Sequence, residues 1–79
     1  MSNLLKDRID ILIEKAKSGD SKAQLRLAKC FNSGHLVEKS PDLAKYWAFK
    51  SLQSGNNKAA KFYQAIITHI HGRLSNLTK

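Results

Sequence analysis

Residues 23 to 55, AQLRLAKCFNSGHLVEKSPDLAKYWAFKSLQSG, read as two amphipathic helices around a short break. Ala23, Leu27, Cys30 and Phe31 stand at i, i+4, i+7 and i+8, one face of a helix. Ala44, Trp47, Ala48, Ser51 and Leu52 repeat that spacing in the second half. Between them Gly34 supplies a helix stop, and Ser40-Pro41-Asp42 a start in which Ser40 caps and Pro41 suits the first turn. The unit is expected to be a helical hairpin. In this reading Ala23 and Ala44 let the two helices approach closely, and Phe31 and Trp47 fill the space where they splay, with Trp47 largely buried.

Working outward, Asn3 can cap a first helix over residues 3 to 18, with Leu5, Ile9, Leu12, Ile13 and Ala16 along one stripe and Leu4 and Ile11 on a second. Gly19 ends it, and Asp20 or Ser21 caps the next helix, residues 21 to 33. The same punctuation recurs at Gly55 with Asn56 or Asn57, an offset of 36 residues from Gly19 (55 minus 19). That offset also pairs Ala23 with Ala59, Leu27 with Tyr63, Phe31 with Ile67 and His35 with His71, so repetition is internal to the chain. A third helix is expected over 41 to 54 and a fourth over 57 to 71, with Ala59, Tyr63, Ile66, Ile67 and Ile70 inward. Gly72 is expected to stop that helix, leaving residues 72 to 79 as a frayed tail that Leu74 could join to the core stripe if the helix runs on.

The central stretch resembles the Sel1-like repeat, a relative of the tetratricopeptide repeat, whose pattern runs roughly A-x3-LG-x2-Y-x2-G-x-GV-x2-D-x3-A-x2-W-x3-AA-x2-G. Ala23, Leu27, Phe31, Gly34, Val37, Ala44, Trp47 and Gly55 carry the resemblance. Ala28 and Leu36 stand in place of glycines, Ser40 in place of the aspartate, and Ser51-Leu52 in place of the alanine pair. A residue with a Cβ does not readily take positive φ, which makes Leu36 the notable departure. The resemblance implies an all-α, single-domain chain of four antiparallel helices stacked as a short αα-solenoid: half a repeat (3 to 18), one repeat (21 to 54) and half a repeat (57 to 71).

Composition narrows the chemistry. One cysteine, Cys30, excludes an intramolecular disulfide, and its place on an apolar face argues for packing. Charges inside the N-terminal apolar pattern argue against a signal peptide or a membrane span, and a cytoplasmic protein is the expectation. The histidines, His35, His69 and His71, include no i, i+4 pair, so no metal site is expected. No cofactor is implied, and no paired carboxylates or glycine-rich phosphate loop suggest catalysis.

Surfaces say more. The formal net charge is +8, and residues 43 to 79 carry six basic side chains and no acidic one. That balance favours an acidic partner, although it also serves the solubility of a small protein. Lys22, Arg26 and Lys29 follow at i, i+4 and i+7, and Lys58 continues the stripe at the 36-residue offset. The resemblance implies that such first helices line the concave, ligand-facing side of the array; the alternative is a solvated lysine face. Tyr46 and Phe49 stand at i and i+3, away from Ala44 and Ser51. They read as a contact for a partner or a second copy unless the first helix or the tail covers them. Leu4 and Ile11 are the other leftover apolar side chains, and they suggest self-association into a homodimer. The function expected is a non-enzymatic protein-binding module: a small inhibitor, immunity-type or adaptor protein meeting a larger acidic protein. The alternative is a basic helical nucleic-acid-binding protein, although no aromatic stacking platform is evident.

Overall fold

A computed structural model describes residues 4–77 of the chain, with side chains described for residues 8–68. Among the described residues the chain forms α1 (Leu4–Lys17), α2 (Ser21–Ser33), α3 (Pro41–Gln53) and α4 (Asn57–Leu77), and no strand. The packed pairs follow chain order: α1 on α2, α2 on α3, α3 on α4. Asn3 and its expected capping role lie outside the described residues.

Each boundary has a local cause. Asp20 caps α2, its Oδ1 accepting the backbone N–H groups of Lys22 at 3.0 Å and Ala23 at 3.1 Å. Ser40 caps α3, its Oγ accepting from the Leu43 N–H at 3.3 Å, with Pro41 in the first turn. Asn56 serves α4 in the same way through the Lys58 N–H at 3.0 Å. These side chains satisfy donors that a helix start leaves without an intrahelical partner. At the end of α2, Gly34 takes the left-handed conformation at φ 78°, and its N–H donates to the Cys30 carbonyl at 2.8 Å. A Cβ there would also sit 3.3 Å from the Lys39 Cβ, so space as well as φ favours glycine.

The expected stop at Gly72 is not used: α4 continues through it to Leu77. An interior glycine costs a helix only about 1 kcal/mol relative to alanine. No proline or capping residue follows Gly72 to force an end.

Two clusters form the core. Ile9 and Ala16 of α1 meet Ala23 and Leu27 of α2, with Leu12, Ile13, Phe31, Leu36, Val37 and Trp47 packed against them. Ala28 of α2, Ala44 and Ala48 of α3 and Ile66 of α4 form the second, flanked by Phe31, Trp47, Phe62 and Tyr63. Ala23 therefore packs on α1 and not at the approach of α2 to α3, where the sequence-based expectation placed it along with Ala44. The hairpin is antiparallel, which brings the start of α2 to the end of α3. There the Ser51 Oγ donates to the Ser21 carbonyl at 2.7 Å and the Ser54 Oγ to the Gln24 side chain at 3.0 Å. Ala28 takes the place opposite Ala44 instead. Trp47 is only partly buried, because it sits at the seam between the two clusters and beside Tyr46.

Leu36 adopts φ 68°, the one positive-φ residue other than glycine among those described. Its side chain is half-buried against the first cluster. A left-handed residue with a Cβ costs roughly 1–2 kcal/mol, and apolar burial of this order offsets it. Leu36→Ala, which keeps the backbone cost and discards the packing, should destabilise the fold by about 1–2 kcal/mol. Leu36→Gly should be the more stable of the two in urea titration, reversing the order found at ordinary positions. An alanine variant that outlasts the glycine variant would remove this account of the loop.

Gln24 is buried, with its Nε2 donating to the Ala16 carbonyl at 3.0 Å while its Oε1 accepts from Ser54. It joins three helices by side-chain bonds. Gln24→Ala, which loses both bonds, should cost about 2 kcal/mol in thermal or urea unfolding, whereas Ser54→Ala, which removes one partner of the buried amide at a position open to water, should cost about 1 kcal/mol. Equal effects would mean that the amide is not holding α1 to α2.

Candidate functional site

The helices that build the first cluster also leave a groove between them. On α1, Arg8, Ile11, Leu12 and Lys15 follow at i, i+3, i+4 and i+7, so one face of the helix forms one wall. On α2, Lys22, Arg26 and Ser33, with Ala23, Lys29 and Cys30 beside them, form the other. His35 and Leu36, from the loop that Gly34 turns, close one end. The groove is open along its length and has a volume of about 800 Å³.

The lining sorts by chemistry. Ile11, Leu12, Ala23, Cys30 and Leu36 supply apolar surface, and Ile11 is 56% exposed. Five cations surround it: Arg8, Lys15, Lys22, Arg26 and Lys29, all exposed. Asp20 is the only carboxylate in the lining, and its Oδ1 is already engaged by two backbone N–H groups. The site therefore combines a strongly positive rim with an apolar floor. It can attract and hold an acidic, partly apolar surface.

The expected stripe is only partly brought together. Lys22, Arg26 and Lys29 do share the groove, and Arg8 and Lys15 join them, which the sequence reading missed. Lys58 is exposed in the first turn of α4, outside the groove. Lys29 lines the groove, but its Nζ lies 6.0 Å from the centroid of the Phe62 ring on α4. Ile11 also belongs to the groove, while the side chain of Leu4 lies outside the described residues.

The aromatic pair occupies α3 instead. Tyr46 is 49% and Phe49 44% exposed, and Leu43, one turn before Tyr46, joins them at 44%. Tyr46 meets Trp47 edge-on at 5.1 Å and has the Lys50 Nζ 5.7 Å from its ring centroid. Phe49 leans on Tyr63 of α4 at 5.6 Å. Leu43 was legible at i−3 from Tyr46, but leucine at such a position does not distinguish surface from core.

Among the described residues no group of three His, Cys, Asp or Glu side chains is placed to hold a metal ion. His69 and His71 have no described side chains. No helix of the described chain is long and apolar enough to cross a membrane.

Cys30 is half-buried in the α2 wall, and this burial pushes its thiol above the ordinary range. Less thiolate is then present at any given pH, and the thiolate is the reactive form. Iodoacetamide should modify the folded chain more slowly than the urea-unfolded chain near pH 8, and the folded rate should rise at a higher pH. Identical rate profiles for the two states would contradict the burial of this sulfur.

Comparison with protein-family models, with curated proteins and with solved structures gives no match to this chain.

Proposed function

We propose that this chain is a non-enzymatic protein-interaction module, a small inhibitor, immunity-type or adaptor protein, and that its groove engages an acidic surface on a larger protein. The observation that carries the reading is the composition of the groove: five cations and one already engaged carboxylate around exposed apolar side chains. We take the architecture to be a short αα-solenoid of the kind the Sel1-like pattern implies. The chain-ordered packing and the cluster shared by Ala28, Ala44, Ala48 and Ile66 support that arrangement.

In this reading the cations act first. Gathered along one groove, they steer an acidic partner and raise the association rate. The apolar floor around Ile11, Leu12 and Leu36 then sets the residence time. Lys58 contributes to the general positive field and not to the groove. The exposed α3 patch of Leu43, Tyr46 and Phe49 is a second contact, for the same partner or for a second copy. Self-association through Ile11 is disfavoured, because it would bring Arg8, Lys15, Lys22 and Arg26 of two copies together.

A nucleic-acid reading draws on the same charge. Against it, the lining contains no Phe, Tyr or Trp ring, and phosphates gain nothing from an apolar floor. A chain with one cysteine forms no intramolecular disulfide, which fits the cytoplasm as the site of action.

The test uses the partner that co-purifies with the wild-type chain from its native cell. Reversing Arg26 and Lys29 to Glu should slow association at low salt by about tenfold or more. Thermal stability should stay within about 0.5 kcal/mol, because both side chains are exposed and surface charges contribute little to folding. An unchanged association rate would end the charge-steering proposal. Affinity that collapses steeply as salt rises, with a nucleic acid in the purified complex, would favour the second reading.

A further inference from the structure

Resting on the basic-groove reading, we infer that the α1–α2 groove is a seat for one α-helix of the partner, apolar along one stripe and acidic on both flanks. Its walls are two helices, each presenting residues at helical spacing, so the space between them is a trough and not a pit. From Lys22 to Ser33 the α2 wall runs about 16 Å at roughly 1.5 Å per residue, the length of three helical turns.

The chain contains its own precedent. α4 seats Ile66 in the cluster of Ala28 from α2 with Ala44 and Ala48 from α3, and Phe62 and Tyr63 pack beside it. A helix thus rests against a pair of earlier helices, with a lysine of α2, Lys29, over one of its aromatic rings. The 36-residue offset superposes α2 on α4. Subtracting 36 carries Ala44, Ala48 and Ile66, which Ala28 of α2 packs against, onto Arg8, Leu12 and Cys30, and all three of these line the α1–α2 groove. No described helix covers it, and Ile11 is left largely exposed there.

Charge selects among occupants. A second copy, itself at +8, would meet five cations with more of the same sign. A nucleic acid would satisfy the cations and leave Ile11, Leu12 and Leu36 without apolar contact. An acidic amphipathic helix satisfies both, with its apolar stripe on the floor and its carboxylates reaching Arg8, Lys15, Lys22, Arg26 and Lys29.

The experiment uses the full chain and three synthetic probes. The first is a capped peptide of about 15 residues with Leu and Ala at i, i+3, i+4 and i+7 and Glu elsewhere, long enough for the three turns. The second has the same composition in scrambled order, and the third is a short DNA duplex. Binding is read by fluorescence anisotropy, and occupancy of the groove by protection of Cys30 from iodoacetamide. The amphipathic peptide should bind about tenfold more tightly than the scrambled one and should slow Cys30 alkylation. Ile11→Ser, a change at an exposed position, should lose most of that preference while leaving helicity and the scrambled-peptide affinity unchanged.

Equal affinity for the two peptides, or binding without Cys30 protection, would overturn the helix seat and leave the basic-face reading standing. Failure of both peptides to bind at low salt would overturn both. Tighter binding of the duplex than of the amphipathic peptide would overturn both in favour of a nucleic-acid partner.

Discussion

The close approach of α2 and α3 through small side chains is the constraint on which the rest depends. Ala28, Ala44 and Ala48 have no exposed surface, and alanine at such a contact allows axes near the short end of the usual range, about 8 Å. At that separation the helix ends come within hydrogen-bonding reach of one another. The Ser51 hydroxyl meets the Ser21 carbonyl, and Gln24 bridges Ser54 and the Ala16 carbonyl. The polar clasp is fully paired, and no buried side-chain nitrogen or oxygen among the described residues lacks a partner. A bulkier residue at Ala48 would therefore do more than fill space. It would lengthen the bonds at the far end of the hairpin, since a packed core transmits displacement.

From that contact α2 acquires three separate duties. Its Ala23 and Leu27 side packs on α1, its Gln24, Ala28 and Phe31 side on α3, and its Lys22, Arg26 and Ser33 side forms a groove wall. Helical geometry keeps these arcs about 100° apart per residue step, so the first two can be committed to folding and the third left to charge. Folding and the proposed binding then rest on different side chains of one element. Leu36 links them, because it packs on the first cluster and also closes the groove, and it does so from a left-handed backbone. The strain is local to the place where the loop must turn the chain and present an apolar side chain at once.

The helices were legible because their ends carry strong local chemistry: Gly34, Ser40-Pro41, and the Gly19-Asp20 and Gly55-Asn56 pairs each act within a few residues. What failed was of longer range. Ala23 and Ala44 were both expected at the approach of α2 to α3, but Ala23 packs on α1 and Ala28 joins Ala44, because spacing along one helix does not say which neighbour a small residue meets. Gln24 passed unnoticed because glutamine is ordinarily a surface residue, and only two partners from other elements make its burial affordable. Gly72 misled in the other direction, since a glycine ends a helix only when the following residues cooperate. At the site, Lys22, Arg26 and Lys29 were found from their spacing. Arg8 and Lys15 were equally spaced on α1, yet only the packing of α1 on α2 brings them to the same groove.

That last point bears on how charge should be read in so small a chain. Residues 43 to 79 carry no acid, so composition locates the positive field in the C-terminal half. The densest group of cations nonetheless gathers between α1 and α2, in the half that holds all six acids. Helical phase explains the inversion: Asp10 lies on a different side of α1 than Arg8, Ile11 and Lys15, neither Asp10 nor Glu14 lines the groove, and Asp20 is turned to the backbone of α2. Opposite charges that neutralise one another in a sum are thereby separated across the width of a helix, roughly 10 Å, a distance comparable to the screening length. A partner of the proposed kind would meet the cations of the groove first. Because the five cations are exposed to water, their mutual repulsion costs the free chain little, and they become strongly favourable only when carboxylates arrive. The field at this groove is thus a product of topology acting on helical phase, and net charge alone would have sought it at the wrong end of the molecule.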